Sequence, residues 1–358
     1  MPNSFANFYS CKKVLVTGHT GFKGGWLTAW LKLLGAEVIG FALPPETQPN
    51  LYTAAGIGEH MVTVFGDIRN LAAVSALFTQ NEPEIIIHNA AQALVRRSYR
   101  EPVETYATNV MGTVNVLEAA RHAKSVRAVV VVTSDKCYEN RGSSYGYNEA
   151  DAMGGHDPYS SSKGAAELVT AAYRGSFFKN SDGAAVASAR AGNVIGGGDW
   201  SEDRLVPDIV RGILSGEPVV IRHPESIRPW QHVLEPVRGY ILLAQRLCEQ
   251  GQSYAEPWNF GPRSEDAVAV AQVAKQMIAR WGKGQLKMEA DPAAPHEAET
   301  LRLNCEKSRK RLGWEPALTL DQALDWTIDW YRAYHEDPRS ATSLTKTQIQ
   351  RYASIANA

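Results

Sequence analysis

The chain has 358 residues, a formal net charge of −1 and 44% hydrophobic residues. This balance allows a sizeable core and gives no indication of a nucleic-acid or membrane partner. Four scattered cysteines indicate free thiols in a reducing compartment rather than a disulfide framework. No apolar run is long enough to span a bilayer, and two lysines lead directly into the first strand without a signal-peptide pattern. We therefore expect a cytoplasmic protein.

The first half of the chain alternates strands and helices. Apolar, β-branched runs predict strands at residues 13–17, 37–41, 61–65, 84–88, 128–133 and 183–190. Helical periodicity between them predicts helices at residues 22–34, 71–80, 103–123 and 158–178. Near-continuous apolar strands separated by helices predict an α/β fold of the Rossmann type, a doubly wound parallel sheet covered on both faces. We assign residues 1–190 to this first domain.

The pattern is less regular after residue 190. Strands are predicted at residues 219–221 and 258–262, and helices at residues 206–214, 236–247, 266–281 and 320–335. We therefore expect a smaller mixed α/β lobe over residues 191–338, with some crossing of the chain between the lobes. Residues 339–358 are polar and are predicted to form a loosely packed surface tail.

A glycine-rich turn joins the first strand to the first helix. Gly18, Gly21 and Gly24 have the spacing Gly-x-x-Gly-x-x-Gly. Glycines at such a junction let backbone amides and the helix N-terminus approach a pyrophosphate, so a bound dinucleotide is predicted. The second strand ends in Phe41-Ala-Leu-Pro-Pro45, without the acid or arginine that would distinguish NAD from NADP. Asp67, after the third strand, is a predicted adenine contact.

Two groups of polar residues predict a catalytic site. Tyr159 and Lys163 lie four residues apart on one face of a predicted helix. Beside a lysine, and a cationic cofactor if one is bound, a tyrosine hydroxyl loses its proton more readily and can act as a base towards an alcohol. Ser134, Asp135 and Lys136 end the fifth predicted strand, where open α/β sheets bind ligands. The alternative interpretation of Asp135 and Lys136 is a surface ion pair.

These segments resemble the extended short-chain dehydrogenase/reductase family over most of the chain. The matching stretches are Gly18 to Gly24, Asp67-Ile68, Asn89-Ala-Ala91, Asn109, Ser134, Tyr159 to Lys163, Arg190-Ala-Gly-Asn193 and Arg228-Pro-Trp-Gln-His232. Within the family the chain resembles the sugar-nucleotide 4,6-dehydratases. Its Asp135-Lys136 pair is similar to that of the subgroup acting on CDP-glucose, because the subgroup acting on dTDP-glucose has Asp-Glu there.

The resemblance implies a tightly bound NAD that is recycled in each turnover. The implied reaction oxidises C4 of the sugar, removes water across C5 and C6, and returns the hydride to C6. Tyr159 would be the base at the C4 hydroxyl, with Lys163 beside it. Ser134 would bond the C4 oxygen, Asp135 would be the acid for the C6 hydroxyl, and Lys136 would be the base at C5. Both pKa values of that acid–base pair must be shifted for these roles.

Binding residues are also implied by the resemblance. The cofactor contacts would be Gly18, Thr20, Gly21, Phe22, Lys23, Gly24, Asp67, Ile68, Ala90, Ala91, Asn109, Tyr159 and Lys163. The contacts to the nucleotide sugar would be Gln92, Asn193, Arg204, Leu205 and Arg228, with the two arginines on the diphosphate. The nine histidines have no ligand spacing, so no metal site is expected.

The implied product is CDP-4-keto-6-deoxy-D-glucose, a precursor of deoxysugars in O-antigen and lipopolysaccharide. Helices 103–123 and 158–178 form a four-helix dimer interface in this family, so a homodimer, or a dimer of dimers, is implied. Two other functions stay open from the residues alone. Another nucleotide-sugar 4,6-dehydratase or a 4-epimerase would share Tyr159 and Lys163, although an epimerase needs no acid at Asp135. A non-catalytic NAD-binding regulator would need neither Tyr159 nor Lys163, and both are present.

Overall fold

A seven-stranded parallel sheet lies at the centre of the computed structural model, which describes residues 4–142, 146–179, 183–289 and 301–356. The strands in chain order are β1 (Lys13–Thr17), β2 (Glu37–Ala42), β3 (Val62–Phe65), β4 (Ile85–His88), β5 (Ala128–Val132), β6 (Ala185–Ala191), β7 (Val194–Ile195), β8 (Val219–Ile221), β9 (Ile227–Pro229), β10 (Gln231–His232), β11 (Pro257–Phe260), β12 (Ala267–Ala269) and β13 (Leu286–Met288). The order across the central sheet is β3-β2-β1-β4-β5-β6-β11. Successive strands are added on one side of β1 as far as β3, and the chain then continues from β4 on the other side. Open α/β sheets bind ligands at this change of direction, between β1 and β4.

Helices cover both faces of this sheet. They are α1 (Ser4–Tyr9), α2 (Phe22–Leu33), α3 (Leu51–Ala54), α4 (Leu71–Asn81), α5 (Val95–Arg100), α6 (Pro102–Tyr106), α7 (Gly112–His122), α8 (Pro158–Phe177), α9 (Leu205–Ser215), α10 (Leu234–Gln250), α11 (Val270–Trp281), α12 (Leu320–Glu336) and α13 (Ala341–Ala356). The predicted Rossmann-type α/β fold is confirmed. Its central strands are mostly apolar because both sheet faces are buried: every residue of β4, β5 and β6 is buried.

The helix predicted at residues 103–123 is not continuous. It is divided into α6, a π-helical turn over Ala107–Met111, and α7. The π turn contains Asn109, whose side chain is drawn into the loop after β4, and such turns often mark functional sites. The helix predicted at residues 266–281 begins later, at Val270, because residues 267–269 pair with β9 as the strand β12.

The second lobe returns to the first-domain sheet. Strand β11 pairs with β6 in parallel, from Pro257 opposite Ser188 to Phe260 opposite Ala191. A strand from the part of the chain after residue 190 therefore belongs to the central sheet. Three two-stranded sheets, β7 with β10, β8 with β13 and β9 with β12, complete the described part of the smaller lobe. The boundaries at residues 190 and 338 stay a prediction, and parts of all three predicted units fall outside the described residues.

The C-terminal segment corrects the sequence analysis. Residues 341–356 form the helix α13, which is packed against the protein instead of lying loosely on its surface. Ile349 and Tyr352 are buried, and the Tyr352 hydroxyl donates to the buried carboxyl group of Glu235. Burial raises the pKa of Glu235 to about 7. The four cysteines are unpaired, and among the described helices none has the length and hydropathy needed to cross a membrane.

Candidate active site

The carboxyl ends of the central strands open into a cleft with a volume of about 560 Å³. The structure brings most of the predicted site residues together on its walls: Gly18, Thr20, Gly21, Phe22, Lys23, Asp67, Ile68, Ala90, Ala91, Gln92, Ser134, Asp135, Lys136, Tyr159, Lys163, Asn193, Arg204, Leu205 and Arg228. The predicted contacts Gly24 and Asn109 are not on the cleft wall, and both have a packing role instead. Residues from both lobes therefore enclose one site.

The three glycines of the turn between β1 and α2 are needed for different structural reasons. Gly18 has a φ of 76°, a conformation that favours glycine. A Cβ added to Gly24 would lie 2.0 Å from the Gly18 carbonyl oxygen, so Gly24 lets α2 pack against the turn. A Cβ added to Gly21 would meet only that same oxygen, at 3.5 Å. Since Gly21 lines the cleft, the space beside it is available to a ligand.

This turn fits the pyrophosphate of a dinucleotide. Gly21 is the N-cap of α2 and has no side chain to accept hydrogen bonds from the amides of the first helical turn. Phe22 and Lys23, the first two residues of α2, line the cleft. Free amides at a helix N-terminus bind anionic oxygens, and Lys23 adds a positive charge. Thr20 Oγ1 donates to the carbonyl oxygen of Leu43 at 2.9 Å and holds the turn against the loop after β2.

An acid does lie beyond β2, although the sequence analysis finds none at the strand end. Glu46 lines the cleft and accepts a hydrogen bond from Arg97 Nη1 at 3.0 Å. It was missed because it follows the strand by four residues, on a loop whose path the sequence does not define. Asp67, the predicted adenine contact, pairs with Arg69 at 2.6 Å. The hydrogen bonds from Arg69 lower the pKa of Asp67.

Asn109 acts behind the cleft wall. Its Oδ1 accepts from the Gln92 backbone amide at 2.9 Å, and its Nδ2 donates to the Gln92 carbonyl oxygen at 3.0 Å and to Ser162 Oγ at 2.8 Å. Asn109 thus joins the loop after β4 to the helix that carries Tyr159. The Gln92 side chain, a predicted substrate contact, donates to Thr105 Oγ1 at 2.9 Å and is occupied within the protein.

The Ser134–Lys136 segment forms a compact turn at the end of β5. Ser134 caps the 3₁₀ turn over Asp135–Cys137, because its Oγ accepts from the Lys136 amide at 3.2 Å. The same hydroxyl donates to Asp135 Oδ1 at 2.9 Å. Asp135 is buried against Gly192, where an added Cβ would lie 2.4 Å from Oδ2. The turn therefore presents a hydroxyl, a carboxyl group and an amine to one side of the cleft.

Tyr159 and Lys163 lie on the first two turns of α8. Asp157 caps this helix by accepting from the Ser160 amide. Burial raises the pKa of Tyr159 to about 12, although a hydrogen bond with Ser134 opposes this. In the protein alone, burial therefore outweighs the effects that lower the proton affinity of Tyr159, and the predicted effect of a neighbouring lysine with a bound cationic cofactor stays a prediction. Burial lowers the pKa of Lys163 to about 8, and its Nζ donates to the Val132 carbonyl oxygen at 3.4 Å.

Three cationic side chains of the cleft, Lys23, Lys163 and Arg204, lie close enough for Lys23 to be affected by the charges of the other two. Burial, and then the charges of Lys163 and Arg204, lower the pKa of Lys23 to about 7. The Lys23 ammonium donates to the Tyr240 hydroxyl at 3.3 Å. No sequence signal pointed to Tyr240, which comes from the middle of α10. Repulsion among these cations is relieved when an anion binds between them.

The predicted substrate contacts lie on the second-lobe side. Arg204 is the N-cap of α9, and its Nη1 donates to Asp199 Oδ2 at 3.0 Å. Arg228, on β9, is buried. Asn193 lies between β6 and β7 and accepts through its backbone oxygen from the Gln231 amide. Guanidinium groups placed on a cleft wall suit a diphosphate, whose oxygens they can bind in pairs.

The comparisons with known proteins agree with this geometry. A family model described as GDP-mannose 4,6 dehydratase matches residues 15–327. The chain belongs to this family. A curated relative from Salmonella typhimurium, named CDP-glucose 4,6-dehydratase, is 49% identical over 92% of both chains. A dTDP-glucose 4,6-dehydratase of Xanthomonas campestris is 27% identical over 88% of this chain and 92% of its own.

Solved structures of similar proteins have the same fold as this chain. The dTDP-glucose 4,6-dehydratase of Streptomyces venezuelae, solved with NAD and TYD bound, has a TM-score of 0.78 at 25% identity and covers 90% of this chain and 98% of its own. The UDP-glucose 4-epimerase of Thermotoga maritima also has a TM-score of 0.78, at 23% identity, covering 90% and 99% of the two chains. The second likeness shows the fold alone, because dehydratases and epimerases share it.

Proposed function

We propose that the protein is a CDP-D-glucose 4,6-dehydratase, a lyase that forms CDP-4-keto-6-deoxy-D-glucose for deoxysugar synthesis. The observation that carries this proposal is the 49% identity, over 92% of both chains, to a relative of that name. Identity falls to 27% for a relative that acts on dTDP-glucose, as its name states. The Asp135–Lys136 pair supports the same substrate. Four unpaired cysteines suit a reducing compartment such as the cytoplasm.

NAD is the proposed cofactor, held by the glycine turn and the N-terminus of α2. When bound, it accepts hydride from C4 of the sugar and returns it to C6. Support comes from the free space at Gly21 and the uncapped amides of α2. Lys163 and Lys23 lie on the same cleft and would hold the negatively charged and hydroxyl groups of the cofactor in place.

Tyr159 is the proposed base for the C4 hydroxyl. Its phenol is neutral in the protein alone, because burial raises its pKa to about 12. The Ser134 hydrogen bond and the charge of Arg204 both lower the proton affinity and oppose that burial. Ser134 is placed to bond the C4 oxygen as well, since its hydroxyl lies between Tyr159 and Asp135. A proton leaving the C4 hydroxyl group thus enters a connected set of hydroxyl groups.

Asp135 and Lys136 are the proposed acid and base of the elimination. The Asp135 carboxyl group would donate a proton to the departing C6 hydroxyl, while the Lys136 amine takes the proton from C5 and later returns it. Adjacent residues on a 3₁₀ turn point in different directions, so one turn can serve two neighbouring carbons. The Asp135 carboxyl group is buried, and the hydrogen bond from Ser134 fixes its orientation.

A homodimer is proposed through α6, α7 and α8. Large apolar side chains are exposed on α6, on α8 and on the π turn between α6 and α7: Val103, Tyr106, Met111, Leu168 and Phe177. Val103 is 82% exposed and Leu168 is 62% exposed, which is unfavourable on an isolated surface. Light scattering should give twice the chain mass, and Leu168→Glu should shift it towards the monomer. A monomeric wild type would contradict the proposal.

One experiment tests the proposed activity. The purified protein is incubated with CDP-, UDP-, GDP- and dTDP-glucose, and products are identified by mass and NMR. A 4-keto-6-deoxy product, formed fastest from CDP-glucose, is expected. Tyr159→Phe is the control for a contaminating enzyme, since it should give no product. Preference for another nucleotide would refute CDP-glucose, and a C4 epimer that retains C6 oxygen would identify an epimerase instead.

A further inference from the structure

A buried ion pair lies directly beneath the catalytic turn. Glu167 on α8 and Arg190 on β6 are joined at 2.8 Å, and each side chain is only 4% exposed. Glu167 follows Tyr159 and Lys163 on the same helix at intervals of four residues, so all three share one face. A charged pair so deeply buried is costly unless its remaining hydrogen-bonding positions are filled.

The Glu167 carboxylate fills those positions with hydroxyl donors. It accepts from Thr133 Oγ1 on one oxygen, and from Ser188 Oγ, at 2.6 Å, on the other. Burial raises the proton affinity of Glu167, but the charge and hydrogen bonds of Arg190 and the two hydroxyls outweigh it, so the pKa is lowered. Glu167 is thus ionised at neutral pH. Thr133 is the residue immediately before Ser134, so this carboxylate holds the start of the catalytic turn.

Arg190 holds the other end of the turn. Its Nη1 donates to the Tyr138 hydroxyl at 2.7 Å, and its guanidinium lies 4.8 Å from the Tyr138 ring centre. Tyr138 immediately follows the 3₁₀ turn, and its hydroxyl donates to Asn259 Oδ1 at 2.7 Å. Asn259, on β11, also donates to the Tyr147 carbonyl oxygen. The ion pair therefore joins both ends of the turn to the returning strand of the second lobe.

We propose that Glu167 is a positioning residue for the elimination step, which sets the geometry of the Ser134–Lys136 turn through Thr133 on one side and Arg190 with Tyr138 on the other. The assignment rests on the proposed function for the identity of the step. Tyr159 and Lys163 are held in place by α8 itself. The positions of Asp135 and Lys136 depend instead on the Glu167–Arg190 pair, which clamps the turn at both ends. Displacement of the turn would move both proposed groups of the elimination, whereas oxidation at C4 would lose only the Ser134 hydrogen bond and keep its base, Tyr159. Loss of water is therefore slowed more than oxidation at C4.

A pair of matched variants tests the clamp. Thr133→Val and Ser188→Ala each remove one buried hydroxyl that donates to the same carboxylate, but only residue 133 is bonded to the catalytic turn. A displacement of about 1 Å in a reacting group can cost about 100-fold in rate. We expect Thr133→Val to lower kcat at least about tenfold with KM nearly unchanged, and Ser188→Ala to leave kcat within about twofold. Both should lower the Tm similarly, and Thr133→Ser should restore kcat.

A second set of measurements identifies which step of the reaction the Thr133→Val substitution slows. Thr133→Val should accumulate reduced cofactor and slow deuterium exchange at C5, because oxidation continues while elimination does not. The wild type is assayed first on all four nucleotide sugars, and the variants on whichever is turned over, so a wrong nucleotide leaves this test intact. Equal losses of kcat in Thr133→Val and Ser188→Ala would overturn the proposal. So would a crystal structure of Thr133→Val with the Ser134–Lys136 turn in its original position, which needs no substrate.

Discussion

Substituting Gly21 with valine should remove cofactor binding while leaving the fold intact. The φ of −80° at Gly21 is available to any residue, so a side chain causes no backbone strain. A Cβ at Gly21 meets no protein atom nearer than the Gly18 oxygen at 3.5 Å. The valine methyl groups would therefore extend into the part of the cleft where we propose that the pyrophosphate binds.

The size of the effect follows from the hydrogen bonds that are lost. A hydrogen bond to a charged group contributes about 1.5–3 kcal/mol. Displacing the pyrophosphate from a single amide of α2 should then weaken NAD+ binding about 10- to 150-fold, since 1.4 kcal/mol is a factor of ten. Displacement from two amides would take binding out of the range of calorimetry.

Titration calorimetry with NAD+ measures the loss of binding, and thermal unfolding of the protein without cofactor shows whether the fold is intact. Gly24→Ala is the contrasting variant, because its Cβ would lie 2.0 Å from the Gly18 oxygen. We expect Gly24→Ala to lower the Tm by several degrees, and Gly21→Val to keep it within about one degree of the wild type. An unchanged affinity for NAD+ in a folded Gly21→Val protein would refute the cofactor site.

Three further predictions concern protonation. The pKa of Glu235 is raised by burial from 4.5 to about 7, so its contribution to stability, about 3 kcal/mol, is complete below about pH 4.5 and is lost as the pH rises through 7. Glu235→Gln should therefore raise the Tm relative to the wild type at pH 8 but not at pH 4.5. A difference in Tm between the two proteins that does not change with pH would disprove this. Tyr159→Phe should abolish reduction of the cofactor, whereas Asp135→Asn should still reduce it and release water slowly; full turnover by Asp135→Asn would exclude the acid role. Lys136→Met should abolish deuterium exchange at C5, and exchange at the normal rate would leave Lys136 as a binding residue only.

The central sheet was predictable because each of its strands can be identified from the composition of its own short segment. Parallel strands buried on both faces must be almost continuously apolar, as β5 is along its whole length and β4 is up to His88. The catalytic turn was predictable for a related reason. Ser134 directly follows such a strand, and strand ends converge on one edge of the sheet. Tyr159 and Lys163 needed only helical spacing to be placed on one face.

The supporting residues could not be predicted, because their partners are remote in sequence. Glu167 and Arg190 are ordinary charged residues until β6 comes to lie beside α8. Tyr240 contacts the cleft residue Lys23 from a helix that the sequence assigns to the other lobe. The helix α13 was missed because its buried face includes polar residues such as Gln348, which is matched by a hydrogen bond to the Trp326 carbonyl oxygen.

The pairing of β11 with β6 has a consequence for biosynthesis. During translation, β6 leaves the ribosome 69 residues before its neighbour is complete, since the strands end at Ala191 and Phe260. At about 5–20 residues per second, the nascent sheet spends about 3–14 seconds with β6 as an unpaired edge strand. That edge is open to pairing with other nascent chains throughout this interval. Slower translation of residues 192–260 would thus lower the yield of folded enzyme, and chaperones that shield strand edges would restore it.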